Sequence, residues 1–145
     1  MKFYLLLSKR NLTVFAALVI IAFLIVGKIH SARLSALDGS TNAKRINFIS
    51  RLGYEVDENS VKSKDITIPM NFGDVYTEYN KLQKKAGFDL YNNRGKSATV
   101  FTYTLFYKED TELHLIICDG EIIGGDIYND NSDNGFLPLV RIRDN

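Results

Sequence analysis

The chain has 145 residues, 46% of them apolar and 24% charged, with a net charge of +1. That is the size and composition of one folded domain. The charge is uneven: residues 1–40 hold five Lys/Arg and one Asp (+4), whereas residues 41–145 hold thirteen Lys/Arg and sixteen Asp/Glu (−3). A single cysteine, Cys118, excludes an intramolecular disulfide and a cysteine-based zinc site. Two histidines, His30 and His114, leave little with which to build a histidine metal site or a triad. The acidic part has no basic patch, which argues against nucleic acid as a partner.

Lys2, Lys9 and Arg10 precede an apolar run from Leu12 to Gly27, in which Thr13 is the only hydrogen-bonding side chain. Sixteen helical residues span about 24 Å, against a hydrocarbon core of about 30 Å. Ile29 extends the run, and Lys28 can snorkel. The pattern predicts a signal anchor over residues 11–30, with residues 1–10 in the cytoplasm and the rest outside. A cleaved signal peptide is the rival, but the small-x-small sites are poor, with His30 before Ala32 and Leu34 before Ala36. A buried core helix is the third reading. Residues 31–42 are small and polar and read as a linker to a domain over 43–145.

In that domain Ile46, Ile49 and Leu52, with Phe48 beside them, predict a helix over Asn42–Leu52, stopped by Gly53. Tyr54-Glu55-Val56 reads as a short extended piece and 57–64 as a loop. Ile66-Thr67-Ile68 predicts a short strand ending at Pro69. A second helix is expected over Val75–Ala86, with Asp74 as N-cap and Val75, Tyr79, Leu82 and Ala86 on the buried face. Three strands follow: Thr99–Tyr107, Leu113–Ile117, and Glu121–Tyr128. Asp119-Gly120 is the hairpin turn joining the last two. The succession predicts an α+β fold, two helices packed on one face of a small antiparallel sheet, preceded by the transmembrane helix.

Gly124-Gly125-Asp126 is the most unusual stretch, because glycines weaken a strand unless something needs the space. Either a ligand or partner approaches closely, or the glycines mark a bulge or make room for a helix; the second reading is favoured. Gly124, Gly125, Asp126 and Tyr128 are the binding candidates. Tyr76, Tyr91, Tyr103, Tyr107 and Tyr128 are candidates for a recognition face, against a tyrosine-rich core as the plainer alternative. His114 has Glu112 on its own strand face, yet no activated nucleophile accompanies it. Asn129–Gly135 resembles a calcium loop, but Arg141 stands where a bidentate Glu is required. Cys118 is expected to behave as a small buried apolar residue, and Glu109, Asp110 and Glu112, at a turn between strands, to be solvated.

Four blocks then line up in order. They are Arg45, Phe48 and Gly53-Tyr54-Glu55-Val56; Ile68-Pro69, Phe72, Val75-Tyr76, Tyr79-Asn80 and Leu82-Gln83; Gly87-Phe88-Asp89-Leu90, Gly95-Lys96 and the Tyr103 strand; and Ile122–Asp126 with Gly135-Phe136. Together they resemble the domain of unknown function 4830 family over about residues 43–140. That resemblance implies a small Gram-positive bacterial protein with an N-terminal membrane segment and one extracellular α+β domain. It implies no catalytic residue, since the family has no assigned activity.

The expected function is thus a membrane-anchored extracytoplasmic binding or accessory module. It requires no cofactor and no metal, and its partners are the membrane through residues 11–30 and an envelope protein. The alternatives are a carboxylate-dependent cell-envelope hydrolase using Asp126, which needs a second carboxylate about 5–10 Å away, and a calcium-stabilised domain.

Overall fold

The computed structural model describes residues 9–129 and 135–142; for residues 9–12, 30, 33–35 and 109 only the backbone is described. The chain divides into two units, Met1–Ala36 and Leu37–Asn145.

The described part of the first unit is the helix α1 (Lys9–Ala36). Its 28 residues amount to about 42 Å of helix. Its described large apolar side chains are exposed: Phe23 is 77% exposed, and the consecutive Leu24, Ile25 and Val26 are all more than half exposed. Consecutive residues point about 100° apart, so the uncovered apolar surface runs round the helix. Among the described residues, no helix is long and apolar enough to cross a membrane. The described side chains run unbroken only from Thr13 to Ile29. The side chains of residues 11, 12 and 30, at the ends of the expected anchor, lie outside the described ones. So do residues 1–8 of the expected cytoplasmic segment.

The second unit is an α+β domain. Its helices are α2 (Asn42–Arg51) and α3 (Asp74–Lys85), with a 3-10 turn at Leu90–Asn93. Its strands are β1 (Lys62–Thr67), β2 (Ser97–Leu105), β3 (Lys108–Cys118), β4 (Glu121–Asn129) and β5 (Phe136–Pro138). They form one antiparallel sheet in the order β1-β2-β3-β4-β5.

The two helices pack on opposite faces of this sheet, not on one face as the succession of elements predicts. Phe48 and Ile49 of α2 join Tyr103, Leu113, Leu115 and Ile117 in one core cluster. Ile68 and Leu90 join Ile116, Cys118 and Ile123 in the other, with Tyr79 of α3 packed against it. The reason lies in β3, whose Leu113, Leu115 and Ile117 point one way and whose Ile116 and Cys118 point the other. Both faces of the central strand are apolar, so both need a cover.

Several local expectations shift. The linker assigned to 31–42 is helical to Ala36, and residues 37–39 are tied to the sheet. Ile122 N–H donates to the Leu37 carbonyl at 2.7 Å, Asp38 bridges to Glu121, and Gly39 N–H donates to Gly120 at 2.9 Å. β1 starts at Lys62, inside the expected loop. As a charged edge strand it carries almost no apolar signal, which is how edges avoid adding a foreign strand. β5 has three residues including Pro138, too short to announce itself.

In α3, Asp74 is the first helical residue, and Gly73 is the N-cap, without a side-chain bond. The expected buried face is only half right. Val75 is 82% exposed, whereas Asn80 and Gln83 are buried. The sheet surface below α3 presents polar groups, so the helix meets it with hydrogen bonds. Gln83 Oε1 accepts the Gly125 N–H of β4 at 2.8 Å, while Asn80 Oδ1 accepts the Leu90 N–H of the 3-10 turn at 2.8 Å.

Candidate functional site: a buried aspartate beneath an aromatic row

β3 and β4 bring the chemistry together. The Asp119-Gly120 turn pairs Cys118 with Glu121 and Ile117 with Ile122; then the register slips by one residue, so that Ile116 faces Gly124 and His114 faces Asp126. Ile123 is the extra residue. A one-residue slip exchanges the two faces of a strand. The bulge therefore sets Asp126 directly across from His114, on the α3 side.

Asp126 is 1% exposed, and both its oxygens are taken. His114 Nδ1 lies 2.8 Å from Oδ1, and the Tyr79 hydroxyl donates a short hydrogen bond to Oδ2. His114 Nε2 faces Glu112 Oε2 at 3.4 Å. With Nδ1 donating to Asp126, only the imidazolium also offers a proton to Glu112. Burial works against that charge. Hydrogen bonding and proximity to Asp126, then to Glu112, outweigh it and raise the histidine above its ordinary value. Burial, followed by the Asp126 charge and hydrogen bond and a smaller contribution from Tyr76, pushes the Tyr79 hydroxyl far up. It therefore stays protonated and keeps donating.

The four binding candidates fare differently. A Cβ on Gly124 would lie 2.8 Å from Gln83 Oε1 and 3.1 Å from Leu90 Cδ2. A Cβ on Gly125 would lie 2.6 Å from the His114 carbonyl oxygen and 2.7 Å from Leu139 Cδ2. The close approach is thus by the protein's own chain, and neither glycine offers an open surface. Asp126 is sealed. Only Tyr128 remains half-exposed, its ring centroid 6.3 Å from that of His114 and 5.1 Å from that of Phe136.

Tyr128 ends a continuous row of rings on the α3 side. Phe136 meets Tyr79 at 5.9 Å, Tyr79 meets Tyr76 at 6.5 Å, Tyr76 meets Phe72 at 5.4 Å, and Phe72 meets Tyr91 at 5.4 Å. Of the five tyrosines considered for a recognition face, Tyr76, Tyr91 and Tyr128 lie in this row. Tyr103 is fully buried on the α2 side, and Tyr107 is exposed, its hydroxyl donating to Glu55. Sequence reasoning missed Phe72, Tyr79 and Phe136 as site residues. Tyr79 carried only the helical spacing of a core residue; its tie to Asp126, 47 residues away, leaves no local mark.

Among the described residues, no group of three His, Cys, Asp or Glu side chains could hold a metal ion. Residues 130–134 of the calcium-like loop lie outside the described ones. As it stands the site can hold a proton on His114 and present aromatic edges. Asp126, 1% exposed, is closed to a substrate. No protein-family model, no curated protein and no solved structure matches this chain.

Proposed function

We propose that the protein is a membrane-anchored extracytoplasmic binding or accessory module. The observation that carries this reading is the apolar stretch Val14–Val26 of α1, whose large side chains stand exposed all round the helix among the described residues. An apolar surface of that extent demands lipid or protein around it. The basic residues Lys2, Lys9 and Arg10 before it favour a cytoplasmic N-terminus. The resemblance to the domain of unknown function 4830 family belongs to the same proposal and agrees with this layout. Tyr91, Phe72, Tyr76, Phe136 and Tyr128 supply a contact face of the composition favoured at interfaces.

The hydrolase alternative is the weaker one, because the carboxylate it relies on, Asp126, has both oxygens engaged and is closed to solvent. The test is alkaline extraction and external protease digestion of cells making the full chain with a C-terminal tag. An anchored module stays in the membrane after extraction and loses its tag to the external protease. A chain that washes off, or whose tag is protected in intact cells, refutes the anchor or its orientation. Replacing Tyr76 and Phe136 with Ser should then abolish any crosslink that depends on the domain while leaving the membrane association intact.

A further inference from the structure

On the α2 side, away from the aromatic row, an open pocket of about 700 Å³ lies between residues 39–40, the start of α2, β1, β2 and the Asp119-Gly120 turn. Arg45 lines it and is only 7% exposed. Its Nε donates to the Tyr103 hydroxyl and its Nη1 to the Gly39 carbonyl, each at 2.8 Å. The guanidinium carbon lies 3.6 Å from the centre of the Phe101 ring. The Tyr103 hydroxyl passes its own proton to Asn42 Oδ1 at 2.7 Å.

Every acceptor of Arg45 is therefore neutral. Among the described residues no carboxylate forms an ion pair with it; Asp38 is held by Lys44 at 2.7 Å and Asp119 by Lys96 at 3.7 Å. The third nitrogen, Nη2, has no hydrogen-bond partner among the described residues. It is not sealed either, since Gln83 Nε2 is the one fully buried and unpartnered side-chain nitrogen or oxygen among them. A buried charge without a counter-charge is costly, and the pocket is where a counter-charge can enter.

The opposite charge in the same pocket is also uncompensated. Asp65 accepts the Thr99 hydroxyl at 2.8 Å and, among the described residues, meets no cation within ion-pair distance. Asp65 pairs with Thr99 across the strands, and Arg45 covers Phe101, two residues further along β2. Two residues of strand span about 7 Å on one face. Both therefore lie over the same face of the sheet and line one pocket, a carboxylate at one end and an unpartnered guanidinium nitrogen at the other.

We propose that this pocket binds a small zwitterion of the α-amino-acid type, its carboxylate on Arg45 and its ammonium on Asp65. The assignment concerns the folded domain alone and stands whether or not α1 enters a membrane.

The test uses the full chain in detergent micelles, titrated separately with L-alanine, D-alanine, L-lactate, acetate and phosphate. The readout is the Arg45 side-chain Nε–H resonance. Alanine of at least one hand should move it saturably and bind about tenfold more tightly than lactate or acetate, the worth of one charge-assisted contact. Asp65→Asn, an exposed and nearly isosteric change, should bring alanine down to the level of acetate. An Arg45 resonance unmoved by either alanine overturns the proposal, as does a preference for alanine that survives in Asp65→Asn. A response to phosphate or acetate alone overturns it as well, by making the pocket a plain anion site.

Discussion

Gly125→Ala tests whether the glycine pair exists for packing. An added Cβ would sit 2.6 Å from the His114 carbonyl oxygen, 2.7 Å from Leu139 Cδ2 and 3.2 Å from Leu115 Cδ2. The nearest atom belongs to the backbone of β3, which is held by β2 on its other side, so it cannot swing aside as a side-chain end would. Overpacking a closed site costs about 1–3 kcal/mol, and a backbone clash belongs at the upper end. Alanine recovers about 0.5–1 kcal/mol over glycine in a strand interior. The net expectation is a loss of about 2 kcal/mol, or about 8–16 °C in Tm for a domain of this size.

Thermal and urea unfolding of the full chain, followed by circular dichroism and by Tyr fluorescence, would measure that loss. Trimming Leu139 to Ala in the same chain should not restore stability, because the carbonyl remains. A Tm within about 2 °C of wild type, or full rescue by Leu139→Ala, would refute the reasoning. Either result would place the close approach on the side chain or leave the glycine without a packing role.

Three further outcomes follow from the buried network. Tyr79→Phe leaves Asp126 Oδ2 without its donor and should cost about 1–3 kcal/mol by chemical denaturation. His114 is raised above its ordinary 6.5 in the folded state, so its stabilising contribution is complete below that value and is lost as pH rises through the folded one. The stability gap between wild type and His114→Gln should therefore be wider at about pH 5.5 than at about pH 9, and a gap that widens with pH would contradict the geometry. Cys118 is buried, and that burial, with Asp119 beside it, raises its thiol. Alkylation should proceed only as fast as the domain unfolds, measured by mass spectrometry across a urea series.

Much of the scaffold is legible from local patterns. α2 shows its apolar stripe at the expected residues, and Thr41 caps it through its side chain. The Asp119-Gly120 turn shows where β3 and β4 meet, with Asp119 at φ 52° and Gly120 at φ 80°. β1 and β5 are less legible because each is an edge. One has three charged residues in six and a single large apolar one, and the other is too short for a period to appear. α3 misleads for a different reason: Asn80 and Gln83 look like solvent-facing residues until the polar groups they satisfy are in place.

The site was half visible. Extending the register of the Asp119-Gly120 turn without interruption would set His114 across from Gly125 and turn Asp126 to the other face. The bulge at Ile123 reverses that, and beside it Gln83 and Leu90 pack close on Gly124 and Leu139 on Gly125. The sequence by itself determined the apolar N-terminal helix, the order of helices and strands, and the hairpin, since each follows from spacings and turn residues within a short window. Only the tertiary structure decided which face each helix covers, that Asp126 is sealed against His114 and Tyr79, and that Arg45 and Asp65 share a pocket. Those outcomes depend on contacts between residues far apart in the chain, whose energies no local period records.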